Sequence, residues 1–387
     1  MSEISPSLVA TVSAVATRMT PQVLAWTRDI AAVPAPTFDE ADRAAFVRRL
    51  MEDQGLTPRV DDLHDVVGTV PGSSTGGTQP AVLLSAHLDT VFERPTPLRI
   101  RDEAGRIHGP GIGDNCVAIA SVLALPQVLR EAGIVPAVDL LLTGNVGEEG
   151  LGNLRGIKQV MADNPRIGAV VAVEGHNLGR VTHIAVGSKR LQVTATGPGG
   201  HSWGDFGRPS AIHALSRLIA ELDAIPLSWA PKTTLNVGMV TGGVSVNSIA
   251  PTASCLVDMR SVDPDSLTRL AERVDAVIRN TRRDGIAFTV EEIGDRPAGE
   301  VSTSSPAVAA AAEILRALKV EPSYDASSTD ANVAINLGLP SVCIGITSGG
   351  NVHREDEYID TAPVATGLAQ LALLAVSLAG AIAPSGH

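Results

Sequence analysis

Four short runs of the chain are apolar at almost every position, and this pattern predicts buried β-strands. They are rich in Val, Leu and Ile and read AVLLS (81–85), VDLLL (138–142), GAVVAV (168–173) and SVCIGI (341–346). Runs of this kind are typical of inner strands in a sheet that helices cover on both faces. Helical patterns lie before and between them, for example over residues 40–55 and 305–319. The chain is therefore predicted to be an α/β protein.

Residues 183–293 show a different pattern, in which strands and helices predict a β-α-β-β-α-β order. The segments are 183–196 (one long strand or a strand pair), 209–225 (helix), 233–240 and 253–262 (strands), 264–280 (helix) and 286–293 (strand). This order is typical of a ferredoxin-like sandwich. A chain of 387 residues favours two domains. We predict an inserted domain over 183–297, between two parts of an outer domain, 1–182 and 298–387.

Composition and charge exclude several classes of partner. The net charge of −12 argues against nucleic acid and anionic membranes as partners. The N-terminal segment has no basic stretch typical of a secretory signal, and the apolar run 371–383 is shorter than the roughly 20 residues of a membrane span. That run predicts a buried terminal helix. Three widely spaced cysteines indicate free thiols in a reducing compartment, so a cytoplasmic protein is expected.

Ionisable side chains follow each of the four predicted strands. His87 and Asp89 follow the first, Glu148 and Glu149 the second, Glu174 ends the third, and His353 lies beyond the fourth. Ligands of open α/β sheets collect at the carboxyl ends of strands, so these loops are expected to converge. Asp114 comes from a glycine-rich loop that allows a tight backbone turn.

Two imidazoles and several carboxylates form a ligand set for zinc or a similar divalent ion. The carboxylates are too many for one tetrahedral site, and two metal ions sharing one carboxylate would explain their number. A cation would also offset the repulsion between the adjacent Glu148 and Glu149.

Each motif alone also has an ordinary explanation. The pair Glu148–Glu149 could be a solvated turn, His353 a surface histidine, and Asp114 a turn residue. The segment GPGIGD could pass for a dinucleotide-binding loop, but the polar segment RDEAGRIH before it shows no strand-like run. Cys116 has no histidine motif near it, which favours a structural role over a nucleophilic one. Together, with each group placed after a core strand, the residues favour a metal site.

The sequence resembles the di-zinc exopeptidases and amidohydrolases that include aminoacylase, glutamate carboxypeptidase, succinyl-diaminopimelate desuccinylase and tripeptide aminopeptidase. The segment HLDTV matches the family's His-x-Asp-x-Val, and the order and spacing of six separated positions match as well. The resemblance runs through nearly the whole chain. It implies a zinc-exopeptidase-type mixed sheet between helices, in which the inserted domain serves as a lid and dimerisation domain.

The resemblance also implies roles for individual residues. Two divalent ions, Zn²⁺ first and Co²⁺ or Mn²⁺ as alternatives, would be held by His87, Asp114, Glu149, Glu174 and His353, with Asp114 bridging. His87 and Glu174 would bind one ion, and Glu149 and His353 the other. Asp89 would orient the His87 ring. Glu148 would be the general base, and the peptide bond after Asp114 would be cis.

Three further candidates lie in the predicted lid. By resemblance, His201 in GPGGHSWGD would reach across a homodimer and donate a hydrogen bond to the developing oxyanion. Asn247 and Arg260 match positions that grip a substrate carboxylate, a task that suits the planar guanidinium. The alternative for both is an ordinary polar contact within the strands.

These expectations describe a metal-dependent hydrolase. It would cleave an amide bond in a small peptide or an N-acyl amino acid, with a metal-bound water as nucleophile and Glu148 as base. One rival is a non-catalytic binding protein of the same fold, against which the intact Glu148 argues. The other is an NAD-linked enzyme using GPGIG.

Overall fold

The computed structural model describes residues 4–74, 79–281 and 283–384, which form two compact units. One unit runs to Ala185 and resumes at Glu300, and the other is Val186–Gly299.

The strands of the first unit come from both of its chain segments. Those of the first segment are β1 (Arg59–Val60), β2 (Val66–Val70), β3 (Ala81–His87), β4 (Arg101–Glu103), β5 (Arg106–His108), β6 (Leu140–Asn145), β7 (Ile167–Glu174) and β8 (Arg180–Ala185). The second unit contributes β9 (Gly187–Thr196), β10 (Gly200–His201), β11 (Thr233–Gly242), β12 (Ser248–Ile249), β13 (Thr252–Ser261) and β14 (Ala287–Arg296). The chain then continues with β15 (Gly299–Glu300), β16 (Ser323–Ser327), β17 (Ser341–Gly345), β18 (Gly349–Gly350) and β19 (Tyr358–Asp360).

The helices divide in the same way. The first segment holds α1 (Pro6–Ala31), α2 (Ala41–Asp53), α3 (Ala118–Glu131) and α4 (Arg155–Asp163), with a π-helical turn at Ile112–Val117. The second unit holds α5 (Ala211–Asp223) and α6 (Pro264–Asn280). The chain ends with α7 (Pro306–Ala317), α8 (Ala331–Asn336) and α9 (Val364–Ile382).

The large sheet of the first unit is mixed, and its middle strands are parallel. Its order is β1-β2-β6-β3-β7-β17-β8-β15, with β16 added beside β8. β3 pairs in parallel with both β6 and β7, and β17 pairs in parallel with β7. The four apolar runs are therefore adjacent strands whose carboxyl ends share one edge. This confirms the predicted α/β fold with a mixed sheet.

Both faces of this sheet are covered, as the unbroken apolar runs predict. Alternate residues of β3 belong to different cores: Val82 and Leu84 pack in the cluster that includes α1, α3, α7 and α9, whereas Leu83 packs on the other face with α4. Two stretches, Ile112–Glu131 and Val364–Ile382, are long and apolar enough to cross a membrane. They are 89% and 61% buried inside the protein, which is typical of core helices.

Two local predictions needed correction. The terminal helix begins at Val364, seven residues before the apolar run at 371, because Thr366 and Gln370 interrupt the pattern without ending the helix. The polar segment before GPGIG does form strands, β4 and β5, which pair as a hairpin. Their sequence carries no strand signal, because β4 is exposed at all three positions and is ordered by its pairing with β5. These short strands lie in a separate antiparallel sheet, in the order β18-β19-β5-β4.

The second unit is a four-stranded antiparallel sheet with two helices. The strand order in this sheet is β11-β13-β9-β14. Along the chain, these four strands and the two helices follow one another as β9-α5-β11-β13-α6-β14. The core is formed by the apolar faces of α5 and α6 packed against alternate residues of β9 and β13. Helix α6 begins where its sequence indicates: the Asp263 carboxylate accepts a hydrogen bond from the Ser266 N–H at 2.7 Å, and Pro264 is the first helical residue.

Candidate active site

The carboxyl ends of β3, β6 and β7 bring their last residues to one edge of the sheet. His87 ends β3, Asn145 ends β6 directly beside it in register, and Glu174 ends β7. The Glu148–Glu149 turn follows β6 after two residues. The topology therefore gathers three chain-distant ligand candidates, as the strand pattern predicted.

Asp114 reaches the same place from the glycine-rich loop before α3. Gly111 has a φ of 68°, a left-handed conformation that glycine adopts without a steric penalty. The peptide bond between Asp114 and Asn115 is cis, which confirms that prediction. The Asn115 amide donates to the carbonyl of Val173 in β7 at 2.8 Å, and this bond ties the loop to the sheet.

The Asp114 carboxylate lies between two imidazoles. Its Oδ1 is 3.0 Å from Nε2 of His87, and its Oδ2 is 3.1 Å from Nε2 of His353. Nε2 of His353 also lies 3.1 Å from Oε1 of Glu149, and Nε2 of His87 lies 3.8 Å from Oε2 of Glu174. Each Asp114 oxygen thus faces its own histidine–carboxylate set, an arrangement suited to a carboxylate shared by two ions.

Neighbouring charges and burial shift the pKa values of the clustered side chains. Hydrogen bonds to His353 and His87 hold the pKa of Asp114 well below its usual range, although burial would raise it. Hydrogen bonds to Asp114 and then Glu149 raise the pKa of His353 to about 10. Burial alone would lower the pKa of His87, but hydrogen bonds to Asp114, Asp89 and Glu174 raise it well above its usual value. Burial raises the pKa of Glu149.

The donor set fits divalent cations. Ligand atoms of His87, Asp114 and Glu149 all lie within 4.8 Å of one another. Imidazole nitrogen and carboxylate oxygen are the ligands that Zn²⁺ takes in catalytic sites. Both imidazoles direct Nε2 at the same carboxylate, so a cation bound there would replace the proton that holds each pair together.

Asp89 contacts more of the site than the sequence suggested. Its two carboxylate oxygens accept the backbone N–H groups of Glu148 at 3.0 Å and Glu149 at 2.9 Å, and one also accepts the Thr37 hydroxyl at 2.9 Å. Nδ1 of His87 lies 3.0 Å from the Asp89 carbonyl and 3.6 Å from its carboxylate. Asp89 therefore holds both the His87 ring and the Glu148–Glu149 turn.

Glu148 and Glu149 do not form a solvated turn. Their exposed fractions are 7% and 6%. Two adjacent buried carboxylates are costly without compensation, and Glu149 has His353 as its partner. The burial of both side chains therefore argues against the solvated turn.

The three remaining candidates, His201, Asn247 and Arg260, lie in the second unit. β10 pairs with β12, so the His201 loop runs beside the Asn247 loop, and the Ser202 N–H donates to the Asn247 carbonyl at 2.9 Å. His201 and Asn247 are both exposed. Arg260 lies on β13, where its Nε donates to Asp258 at 2.7 Å, and its side chain is 41% exposed. The strand contact that the sequence left open as an alternative is therefore present for Arg260.

Sequence reasoning missed two buried residues beside the ligands, His176 and Glu357. They contact each other at 2.8 Å. His176 follows Glu174 by two residues, and Glu357 follows His353 by four, so proximity to a ligand was the available signal. Glu357 ends the charged run REDE, whose composition is typical of an exposed segment. Cys116, in contrast, is fully buried, and burial raises the pKa of its thiol, which fits the structural role.

The chain is similar to known proteins over most of its length. A succinyl-diaminopimelate desuccinylase of Corynebacterium glutamicum is 25% identical over 343 residues, covering 86% of this chain and 90% of that protein. An acetylornithine deacetylase of Myxococcus xanthus is 24% identical, covering 83% and 84%. The crystal structure of a tripeptidase from Staphylococcus aureus superimposes with a TM-score of 0.77 at 20% identity, covering 94% of this chain and 99% of that one.

A family profile defines the relationship. Residues 83–377 match the profile described as Peptidase family M20/M25/M40. That range includes every candidate ligand, Glu148 and the second unit. The predicted resemblance is thereby confirmed: the chain belongs to peptidase family M20/M25/M40.

Proposed function

We propose that this chain, a hydrolase of the peptidase M20/M25/M40 family, cleaves an amide bond in a small peptide or an N-acyl amino acid. The observation that carries the proposal is the Asp114 carboxylate, placed between two histidine–carboxylate sets, one of which includes Glu149, the chain neighbour of the buried Glu148. The named relatives, a desuccinylase, a deacetylase and a tripeptidase, support the substrate class.

Two divalent ions fit the cluster, with Zn²⁺ as the first choice and Co²⁺ or Mn²⁺ as alternatives. His87 and Glu174 would hold one ion, Glu149 and His353 the other, and Asp114 both. When bound, the ions would polarise the scissile carbonyl and acidify the attacking water.

Glu148 would move the proton in this reaction. As general base it would take the proton of the attacking water at its carboxylate and pass it to the leaving amine nitrogen. Its backbone N–H is fixed by the Asp89 carboxylate, and its side chain is largely shielded from solvent. A base held in this way loses little freedom when the substrate binds.

His201 is prepared to donate a hydrogen bond. Its Nδ1 accepts the backbone N–H groups of Trp203 and Gly204, both at 3.2 Å. An acceptor Nδ1 places the ring proton on Nε2 in the neutral imidazole. His201 therefore presents an Nε2–H, the group required to stabilise a developing oxyanion.

Asn247 and Arg260 are proposed to bind a substrate carboxylate. The Asn247 loop is fixed beside His201 by the β10–β12 pairing, and Arg260 keeps a partly exposed guanidinium on β13. Because Arg260 pairs with Asp258, a substrate carboxylate would have to compete with or share that partner.

The second unit supports the proposal of a homodimer. β11 is an edge strand of its sheet, and the strand and the turn after it expose Met239, Val240, Val244 and Val246. Unpaired apolar edges of this kind invite strand pairing with another copy. Trp203 and Phe206, in the His201 loop, are 88% and 91% exposed. We also propose a cytoplasmic location, because all three cysteines are buried free thiols.

Chelation followed by metal rescue tests the function. The purified protein is treated with a chelator, then assayed with Zn²⁺, Co²⁺ or Mn²⁺ on a panel of dipeptides, tripeptides and N-acyl amino acids. We expect chelation to abolish amide hydrolysis and added metal to restore it. Metal binding without turnover of any panel member would favour the non-catalytic binding protein, and full activity after verified metal removal would contradict the proposal.

A further inference from the structure

The carboxylate of Glu357 is fully buried and surrounded by hydrogen-bond donors. Its Oε2 accepts the Gly111 N–H at 3.0 Å. Its Oε1 accepts the N–H groups of Gly113 at 3.0 Å and Asp114 at 2.8 Å, and lies 2.8 Å from Nε2 of His176. Four contacts therefore hold the two carboxylate oxygens of this buried side chain in place.

These contacts join three segments of the chain, each of which carries a candidate metal ligand. The loop that donates three N–H groups ends in Asp114 itself. His176 lies two residues after Glu174, and Glu357 lies four residues after His353. The backbone strengthens the same junction, since the Gly109 N–H donates to the Glu357 carbonyl at 2.9 Å.

The fit around this junction is tight. A Cβ at Gly113 would lie 2.0 Å from Nε2 of His176 and 2.8 Å from Oε1 of Glu357. A Cβ at Gly349 would lie 2.7 Å from Cε1 of His176. The imidazole is thus held between two glycines, which leaves it little freedom to turn away from the carboxylate.

We propose that Glu357, assisted by His176, is a positioning residue that sets the geometry of the metal centre by fixing the three ligand-bearing segments relative to one another. The inference deepens the proposed function and rests on it. Glu357 does not itself face the reacting atoms: its oxygens are used by the Asp114 loop and His176. It acts through Asp114, the carboxylate shared by both ion sites.

A carboxylate matches this environment better than an amide does. Three of its four partners are peptide N–H groups, which can only donate, and His176 can donate from Nε2. A glutamine of nearly equal size would direct its own NH₂ at one of these donors. Glu357→Gln should therefore fail to replace the native residue, although it fills the same volume.

Metal binding by Glu357→Gln tests this role. Apo protein is titrated with Co²⁺ and Zn²⁺ against a chromophoric chelator, and the absorption spectrum of the Co²⁺ protein reports the coordination geometry. Loss of outer-shell partners typically weakens metal affinity 10–100-fold. We expect a loss of about this size with an altered Co²⁺ spectrum, while circular dichroism and thermal unfolding verify that the variant folds.

Asp139→Asn is the matched control. Asp139 also accepts a backbone N–H, from Gly72 at 2.9 Å, and pairs with Arg166 at 2.8 Å, but it precedes β6 at the opposite edge of the sheet. This variant should bind both metals as the wild type does. Unchanged affinity and spectrum in Glu357→Gln would overturn the inference.

A milder variant decides the case if Glu357→Gln does not fold. His176→Ala removes one of the four donors and leaves the three hydrogen bonds from peptide N–H groups to Glu357. A weaker metal affinity with a changed Co²⁺ spectrum would support the inference, and wild-type values would overturn it. The outcome is separable from the proposed function, because wild-type protein that bound no divalent ion would refute that proposal first.

Discussion

At the scale of single residues, adjacent side chains are proposed to have different tasks. The N–H groups of Glu148 and Glu149 are held by opposite oxygens of Asp89. The Glu149 carboxylate contacts His353, a partner that it would share with a metal ion. Glu148 is proposed to move a proton instead. Substitution of each residue separates the two roles.

Glu148→Gln should retain both metal ions and lose most turnover, because general base catalysis contributes roughly 10²–10⁴-fold. Glu149→Gln should instead lose one of the two ions. Metal content by elemental analysis and kcat on the best substrate give the two readouts. Metal loss in Glu148→Gln would contradict its assignment as base.

We expect His353 to make the free energy of unfolding of the metal-free protein depend on pH. Its pKa is raised to about 10 by Asp114 and Glu149, against about 6.5 in an unfolded chain. A raised folded pKa contributes stability that is complete below about pH 6.5 and is lost as the pH rises through about 10. The free energy of unfolding of apo wild type minus that of apo His353→Gln should therefore shrink across this range. A constant difference in denaturant titrations at pH 6, 8 and 10 would contradict the predicted shift.

At the scale of elements, the positions of helices follow signals in the local sequence, whereas the positions of short strands depend on pairing. Helix α6 starts at Pro264 and ends at Asn280, the bounds that its apolar period and its Asp263-Pro264 start predict. The hairpin of β4 and β5 has no comparable signal, since its residues are mostly exposed. An element whose order comes from pairing cannot be identified from its own residues.

Asp263→Ala should destabilise α6 by about 1 kcal/mol, because the helix loses the side chain that caps the Ser266 N–H. Asp263→Asn is the control: it removes the charge and keeps a good capping residue, so it should be nearly neutral. Hydrogen exchange of the α6 amides measures both. Equal destabilisation by the two variants would mean that the charge, rather than the cap, matters.

At the scale of the whole molecule, the proposed dimer would bring His201 to the proposed metal centre of the other copy. Its loop exposes Trp203 and Phe206, and β11 offers an apolar edge. We expect His201→Ala to lower turnover by roughly 10²–10³-fold, as loss of one oxyanion donor does, without change in metal content.

Mixing two inactive variants tests whether His201 acts across the dimer. A dimer of one His201→Ala chain and one Glu148→Gln chain contains one site with both groups intact. After random exchange about half of the dimers are mixed, so about a quarter of wild-type activity should return. Absence of recovery after verified subunit exchange would place the histidine in its own chain or outside the mechanism.

The sequence by itself determined the four buried central strands and the candidate ligands. His87, Glu149 and Glu174 could be selected because buried strands are recognised by unbroken apolar runs, and parallel strands end at one edge. Asp114 was selected instead from its glycine-rich loop. Those are local properties of the chain. The two-helix, four-strand order of the second unit followed from periodicity for the same reason.

Only the tertiary structure decided how the ligands are held. That Asp89 fixes the Glu148–Glu149 turn, and that Glu357 joins three ligand segments, depends on contacts between residues 59 to 246 positions apart. Hydrogen bonds over such separations leave no periodic pattern in the sequence, because any donor can meet any acceptor once the chain has folded. The burial of Glu148 and Glu149 was likewise undecidable from a polar, glycine-rich turn. It results from packing at the edge of the sheet, where the neighbours come from elsewhere in the chain.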